Sequence, residues 1–366
     1  MLAGQWQDYK VSELSAQGAQ ALAVELKSLS QHALQPAGYN APELILPLLK
    51  HFGNAKLVTV SQGPDILMAF PISSKRLFLK DWDTPLTASG LPHLSAELGA
   101  SALLSFINSQ TKPILFGAIP THGTFIETLK KQSGNFKIIE TWQRAALKPT
   151  GKFEDWLQIN FDQKRRKEFK RLRNRLNEQG NMVTEILQQG EDTKPFVDDL
   201  LMLEAKGWKG VKGTAIATNL KLKAALEEAC INLHQSNKLR FWSLKLDGRA
   251  IASLFAIVEG DQAWLGKIAY DEDFAKYSPG VQIILDCTES FFAEPNIKLI
   301  DSSAIPNHPM IDRIWRDRIE MVNVFVAPST VSPVRFNLIA KLEQQRILWR
   351  GRARDLLYKL KGQHRS

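Results

Sequence analysis

The sequence predicts an α/β (α+β) protein made of two similar halves, each a mixed, mostly antiparallel sheet flanked by helices. Three observations carry that prediction. Residues 1–150 read helix, helix, hairpin, loop, helix, strand, helix, strand, and the same order returns over 151–330. In the second half the runs 238–246 and 250–260 meet at Asp247-Gly248, a dipeptide that tolerates the positive φ angles of a tight hairpin, and 262–270 adds a third antiparallel strand. This meander delivers the chain through a polar loop, 271–277, into Ser278-Pro279-Gly280, which opens a helix running from about Val281 to Phe292.

Each remaining element follows from local pattern. Residues 12–35 carry Leu14, Ala21, Leu22, Leu26 and Leu29 near helical spacing, and a short helix fits 41–53. The runs 56–62 and 66–73 flank a Gly-Pro-Asp turn and read as a hairpin. A polar loop with Trp82, Pro85, Gly90 and Pro92 leads to a helix over 94–110, then a strand at 112–120, a short helix at 124–132 and a strand at 136–149. A linker at 148–152 contains Pro149 and Gly151, and a helix starts at Phe153. In the basic run 163–180, Phe169, Leu172 and Leu176 fall on one stripe while Lys and Arg cover the rest, so one face is buried and the other meets solvent or a polyanion. Two helices then surround a Gly-rich loop at 207–214, ahead of the meander. After the Ser-Pro-Gly helix come a strand at 297–303, a loop at 304–318, a final strand at 320–328 and a basic helical tail, 331–366.

Composition bounds the class. A chain of 366 residues with 44% hydrophobic and 23% charged residues is an ordinary globular protein long enough for two domains, divided here as 1–150 and 151–330. The first residues lack a basic segment followed by an apolar run, and no apolar stretch approaches the roughly 20 residues that cross a bilayer, so a cytoplasmic location is expected. Cys230 and Cys287 stand alone in helical patterns and the seven His show no ligand spacing, so neither disulfides nor a metal are expected. The net charge of +9 concentrates in 163–180 and 341–366, runs that suit nucleic acid, acidic lipid headgroups or phosphorylated substrates, or simply solvated helix faces.

A helix that begins just past a strand leaves backbone N–H groups unpartnered at the positive end of its dipole, where an anion can sit. The plainer reading makes Ser278 an ordinary N-cap and Pro279 a first-turn residue. From about Phe153 to Pro328 the chain resembles the acyltransferase domain of the GNAT superfamily found in the CelD/BcsL proteins of exopolysaccharide and cellulose synthesis, relatives of the FemAB peptidyltransferases. The resemblance rests on Glu204 with Gly207-Trp208-Lys209-Gly210 and Gly213-Thr214, the hairpin LKLDGRAIAS, Tyr270-Asp271, Tyr277-Ser278-Pro279-Gly280, Asp301, and HPMIDRIWRDR, in that order. The first half resembles a degenerate copy, by element order alone, giving tandem GNAT-like (FemAB-like) domains.

The resemblance implies transfer of an acyl group, acetyl first, from acyl-CoA to an amine or hydroxyl of a small-molecule or glycan-precursor acceptor in polysaccharide or cell-envelope metabolism. It puts donor binding on Tyr270, Ser278, Gly280, Val281 and Gln282. The usual Arg/Gln-x-x-Gly-x-Gly/Ala loop is missing, and Pro279 has no N–H to give. FemAB-type relatives imply a second donor, aminoacyl-tRNA, which the basic helix would suit. A third reading is a non-catalytic module that uses its basic helices on nucleic acid or, through 341–366, on an anionic membrane. Transfer needs a base, for which Asp301 at a strand end and Glu204 are the candidates. Equally, Asp301 could cap a turn with Ser302 and Ser303, and Glu204 could pair with Lys206 or Lys209. Acceptor contacts are expected from Trp208, Lys209, Lys267, Ser302, His308, Arg313 and Trp315, against core roles for the Trp residues, a solvated Lys267 and a salt-bridged cluster of His308, Asp312, Arg313 and Arg318. Arg249, just past the hairpin turn, is either a surface residue or a phosphate ligand.

Overall fold

The computed structural model describes residues 9–132, 134–207 and 213–362. The first half contains β1 (Lys10–Leu14), α1 (Ala16–Ala21), α2 (Ala23–Gln31), α3 (Pro42–Phe52), β2 (Lys56–Gln62), β3 (Asp65–Ser74), β4 (Leu79–Asp81), β5 (His93–Leu94), α4 (Gly99–Ser109), β6 (Ile114–Pro120), α5 (Thr124–Gln132) and β7 (Asn135–Leu147). The second contains α6 (Phe153–Asn160), α7 (Gln163–Asn177), β8 (Met182–Ile186), α8 (Lys194–Lys206), α9 (Leu220–Gln235), β9 (Leu239–Leu246), β10 (Arg249–Glu259), β11 (Gln262–Tyr270), α10 (Pro279–Phe292), β12 (Leu299–Asp301), β13 (Asp317–Ala327) and α11 (Pro333–Gly362).

Local chemistry sets several of these elements. α3 starts with Pro42 and stops at Gly53, whose φ of +64° and amide bond to the Leu49 carbonyl form a left-handed C-cap. Residues 42–49 of α3 are all buried, so this helix is enclosed on every side by the halves it joins. α7 is capped by Asp162, whose carboxylate accepts the Arg165 N–H at 2.7 Å. The Asp247-Gly248 turn takes φ angles of +49° and +78°, the two positive values a tight hairpin requires.

Among the described residues the strands join into one sheet, in the order β1-β2-β3-β4-β6-β13-β7-β12-β11-β10-β9-β8, with β5 beside β3. Two pairs are parallel: β4 with β6, and β11 with β12. The last strand of each half crosses to the other. β7 lies against β12, β13 lies against β6, and β7 and β13 pair with each other along their length. The sheet and helices thus realise the tandem mixed architecture expected from the sequence, with the central strands exchanged.

Four apolar clusters cover the sheet. One unites the halves, bringing Leu44 and Leu48 of α3 together with Ala225, Ala229 and Leu233 of α9 and with Trp264. A second packs α6, α7 and α10 on β9–β12, a third packs α4 and α5 on the first half, and a fourth seats α11 on Leu115, Ile139 and Phe325.

Some boundaries differ from expectation. Residues 10–14 form an edge strand rather than the start of a helix, because β2 offers them a free ladder from Leu57 to Ser61. His93 and Leu94 pair with β3, so α4 starts only at Gly99. β8, to which the sequence pattern assigns no element, closes the edge of β9. The final strand begins at Asp317 and α10 at Pro279.

Candidate active site

β11 and β12 pair only from Gln262↔Leu299 to Trp264↔Asp301. Beyond that point β12 ends while β11 runs on to Tyr270, held by β10 alone, and the sheet opens. The opening coincides with a bulge. Leu254 faces Ile268 and Ala256 faces Leu265, so Phe255 stands opposite both Gly266 and Lys267. Gly266 is required there, because a Cβ at that position would lie 2.1 Å from Phe255 Cε2.

The first half of the chain closes on this opening. The Tyr39 hydroxyl donates to the Leu265 carbonyl at 2.7 Å, and Gly38 lies so close to Trp264 that a Cβ would come within 2.5 Å of its ring. Burial pushes the Tyr39 phenol well above its ordinary value, and the Asp301 carboxylate reinforces the shift. At the end of β12, Asp301 is buried. It accepts Arg144 Nη1 from β7 at 2.9 Å and the Ser303 N–H at 2.7 Å. Asp301 therefore anchors a cross-half ion pair and the turn at Ser303, whose φ is +55°. Ser302 is bound into the same turn, its hydroxyl accepting the Ala304 N–H.

A cavity of about 390 Å³ lies against these groups, between the halves. Trp264, Tyr39 and Asp301 form part of its wall, and Lys148, Arg318, His122 and Gln35 add polar or cationic groups. None of Tyr39, Arg144, Lys148 or Trp264 was anticipated as a site residue. Their positions depend on the strand exchange and on the 38–40 segment, and neither feature has a local sequence signal.

At the start of α10, Ser278 occupies the cap position in a left-handed conformation (φ +54°) with no side-chain cap bond. The plain N-cap reading of Ser278 is therefore not what its side chain does. Pro279 has no N–H, and the Val281 and Gln282 amides both donate to the Ser278 carbonyl, at 2.9 and 3.2 Å. The Gly280 amide remains as the first-turn donor toward an anion. Gly280 is packed against Tyr270 and Met310, where an added Cβ would meet both at 3.1 Å. The Gln282 amide group donates to the Phe169 carbonyl of α7 at 3.3 Å, which turns it away from the β11–β12 opening. Arg166, Phe169, Lys170, Arg173 and Gln282 share a groove of about 400 Å³, so the basic helix runs beside the start of α10.

Glu204 is buried and accepts the Ile216 N–H at 2.8 Å, which secures the 3₁₀ segment at 216–218. It is not a surface partner of Lys206, which instead reaches Asp271 and Asp273. Burial alone would raise the Asp271 carboxyl, but Lys206, the Asp273 N–H and Arg249 outweigh it and hold the group below the usual carboxylate range. Arg249 is thus committed to Asp271 at 2.7 Å. Lys267 sits in the bulge, half-buried. Trp208 and Lys209 lie outside the described residues.

Two expected acceptor contacts belong elsewhere. Trp315 is fully buried and its indole donates to Thr288 at 3.0 Å, so it is a core residue. His308 Nδ1 accepts the Met310 and Ile311 amides at 3.3 and 3.4 Å, and burial lowers its pKa against the pull of Asp312. Arg313 is exposed, and Arg318 binds the Trp315 and Asp317 carbonyls, so this cluster secures the loop into β13 rather than forming side-chain salt bridges.

Comparison with known proteins bears on the fold. Residues 163–304 match the family model described as an acetyltransferase (GNAT) domain. Comparison with curated proteins found no match. Among solved structures, the L-PGS of Bacillus licheniformis superposes with a TM-score of 0.52 at 12% identity, over 88% of this chain and 96% of that one. The C-terminal domain of a protein described as a lysylphosphatidylglycerol synthetase from Agrobacterium fabrum gives 0.57 at 10% identity, over 88% and 96%. FemX gives 0.54 at 10% identity, over 90% of this chain and all of that one. At such identities the likeness is one of fold, and the fold is GNAT-like.

Proposed function

We propose that the protein is an acyltransferase that moves an acyl group, acetyl in the first instance, from acyl-CoA to an amine or hydroxyl acceptor seated in the cavity between the halves. The observation that carries the proposal is the coincidence of three features at one point: the opening of β11 from β12, the bulge at Gly266, and the cavity wall at Asp301. An opened strand leaves peptide groups free to hold an extended pantetheine arm and to steady an oxyanion. In this reading Asp301, through lone pairs not used by Arg144 and Ser303, takes the proton from the attacking amine or hydroxyl. The acceptor attacks the thioester carbonyl, the carbon–sulfur bond breaks, and CoA leaves as the thiol. The cationic wall of Lys148 and Arg318 favours an acceptor that carries negative charge, as a phosphorylated glycan precursor would. A peripheral place at the cell envelope fits that class of acceptor.

With Gly280 as the remaining first-turn donor, the donor's phosphates rely on side chains; Arg173 is already committed to Asp286 of α10, which leaves Arg166 and Lys170 in the groove beside α10 for that task. The same helix favours a second reading, an aminoacyl-tRNA donor. Lys164, Lys167, Lys170 and Arg175 face solvent on α7 as a run that would neutralise phosphates. Titration calorimetry with acetyl-CoA and with charged tRNA separates the two, since binding of acetyl-CoA with no salt-sensitive tRNA affinity supports the first. With the donor known, Asp301→Asn should lower kcat by about 10²-fold or more and leave donor affinity nearly unchanged. An unaltered rate removes Asp301 from the mechanism.

A further inference from the structure

α11 is apolar on two sides. Its inner side buries Phe336, Ile339 and Ala340 against the sheet, and its one acidic residue between 333 and 353, Glu343, is buried there and paired with Arg346. On the outer side Val334, Leu338 and Leu342 follow one another at four-residue spacing, exposed by 81%, 58% and 52%. Leu348 and Trp349 continue the same side a turn and a half to two turns later, at 50% and 66% exposure. Arg335, Lys341 and Arg352 project from this side too, and Arg352 lies 5.8 Å from the Trp349 ring centre. No Asp or Glu falls on the outer side from 334 to 353.

We infer that the outer side of α11 is a docking surface for an anionic lipid bilayer. The charge pattern selects this occupant. A second copy of the chain meeting this face through a twofold axis would set the Arg335, Lys341 and Arg352 side against an identical cationic side that carries no Asp or Glu, a like-charge contact. Phosphates of a nucleic acid would satisfy the cations but leave the Leu and Val side chains in water. A headgroup layer over acyl chains satisfies both. The aliphatic side chains enter the acyl boundary, Trp349 takes the interfacial level, and the cations reach up to lipid phosphates. The helix would then lie in the plane of the surface, as its inner side is already committed to the sheet. This surface is separate from the proposed active site and stands or falls independently of it.

Co-sedimentation of the full chain with vesicles tests the inference. Vesicles of phosphatidylglycerol and phosphatidylcholine should bind the protein at least tenfold more tightly than phosphatidylcholine alone, and 0.5 M salt should remove most of that gain. The double variant Leu338→Glu, Leu342→Glu should lose at least tenfold in vesicle binding with an unchanged thermal melt. Arg335→Gln, Lys341→Gln and Arg352→Gln together should lose the preference for the anionic lipid. Failure of the parent chain to sediment with anionic vesicles overturns the inference, as does undiminished binding by the Glu variant. Equally contrary would be a concentration-dependent dimer in solution that the Glu variant abolishes, since a second copy would then cover this face.

Discussion

Replacing Asp81 by Asn should stabilise the protein, and the gain should grow as pH rises from about 4 and level off above about 6. Asp81 ends β4 and is 5% exposed. Its carboxylate accepts the Gly117 N–H at 2.8 Å and is wedged against Gly90, where a Cβ would stand 2.5 Å from Asp81 Cγ. Burial pushes its pKa up from 3.8 to about 6; Asp83 adds to the rise, while Lys80 and the Gly117 N–H resist it. The folded chain therefore holds this proton to higher pH than the unfolded chain. Relative to an ionised carboxyl, the protonated form contributes stability that is complete below the unfolded value and lost as pH rises through the folded one. A shift of about two units corresponds to roughly 3 kcal/mol of penalty once both states are ionised. Asn keeps an oxygen for the Gly117 N–H and never ionises, so at pH 7.5 it should recover much of that amount. Urea denaturation of parent and Asp81→Asn at pH 4, 5, 6 and 7.5 gives the difference directly, with other groups cancelling. A difference that stays flat across this range, or a variant less stable at every pH, refutes the argument.

Two further substitutions probe the features that shape the site. Gly266→Ala places a methyl within the Phe255 ring and should cost on the order of 1–3 kcal/mol in urea denaturation, as overpacking in a closed core does; a change below about 0.5 kcal/mol would mean that the ring can swing aside and the bulge does not depend on glycine. Glu259 is the centre of a buried network that takes hydrogen bonds from Ser30, Lys238, His93 and the Ala37 amide. Burial would raise its pKa, but His93 and Lys238 prevail and hold it far below the usual range, so its contribution is present at neutral pH and lost as pH falls below about 4.3. Glu259→Gln should therefore cost near the lower end of roughly 3–5 kcal/mol at pH 7.5, because Lys238 keeps Glu43, and the gap between the two proteins should narrow at pH 3. A gap that widens on acidification would contradict the sign.

The second half was legible where local chemistry dictates it. Asp247-Gly248 fixes a hairpin, the apolar runs on either side of it and after it mark β9 to β11, and Pro279 with Gly280 fixes the start of α10, so the meander, the helix and the strand after it could be placed in order. Position along the chain could not show what each polar group meets. Gln282 turns toward α7, Trp315 turns inward to Thr288, and Glu204 holds the 216 amide, all through contacts whose partners lie in other elements. Short edge strands were missed for a related reason. KVSEL and MVTEI are strands because β2 and β9 present open ladders to them, and their own composition does not require it. Asp301 stands out in the sequence because it ends a strand. Its partner Arg144 lies 157 positions earlier, and no pattern in either segment announces the pair.

That pair bears on which parts of the chain form the candidate site. The family match spans 163–304, yet the groups around the β11–β12 opening do not come from that span alone. Arg144 binds Asp301 from β7, Tyr39 takes the Leu265 carbonyl, and Gly38 covers Trp264. The buried Glu259 network draws on Ser30, Ala37 and His93, and Lys238 reaches Glu43. Removing residues 1–150 would leave β12 and β13 without β7, take away most of the cavity wall, and strip Asp301 of its Arg144 partner. The first half therefore acts on the site without carrying the motif, by supplying the strand and side chains that give the second half's opening a floor and a counter-charge.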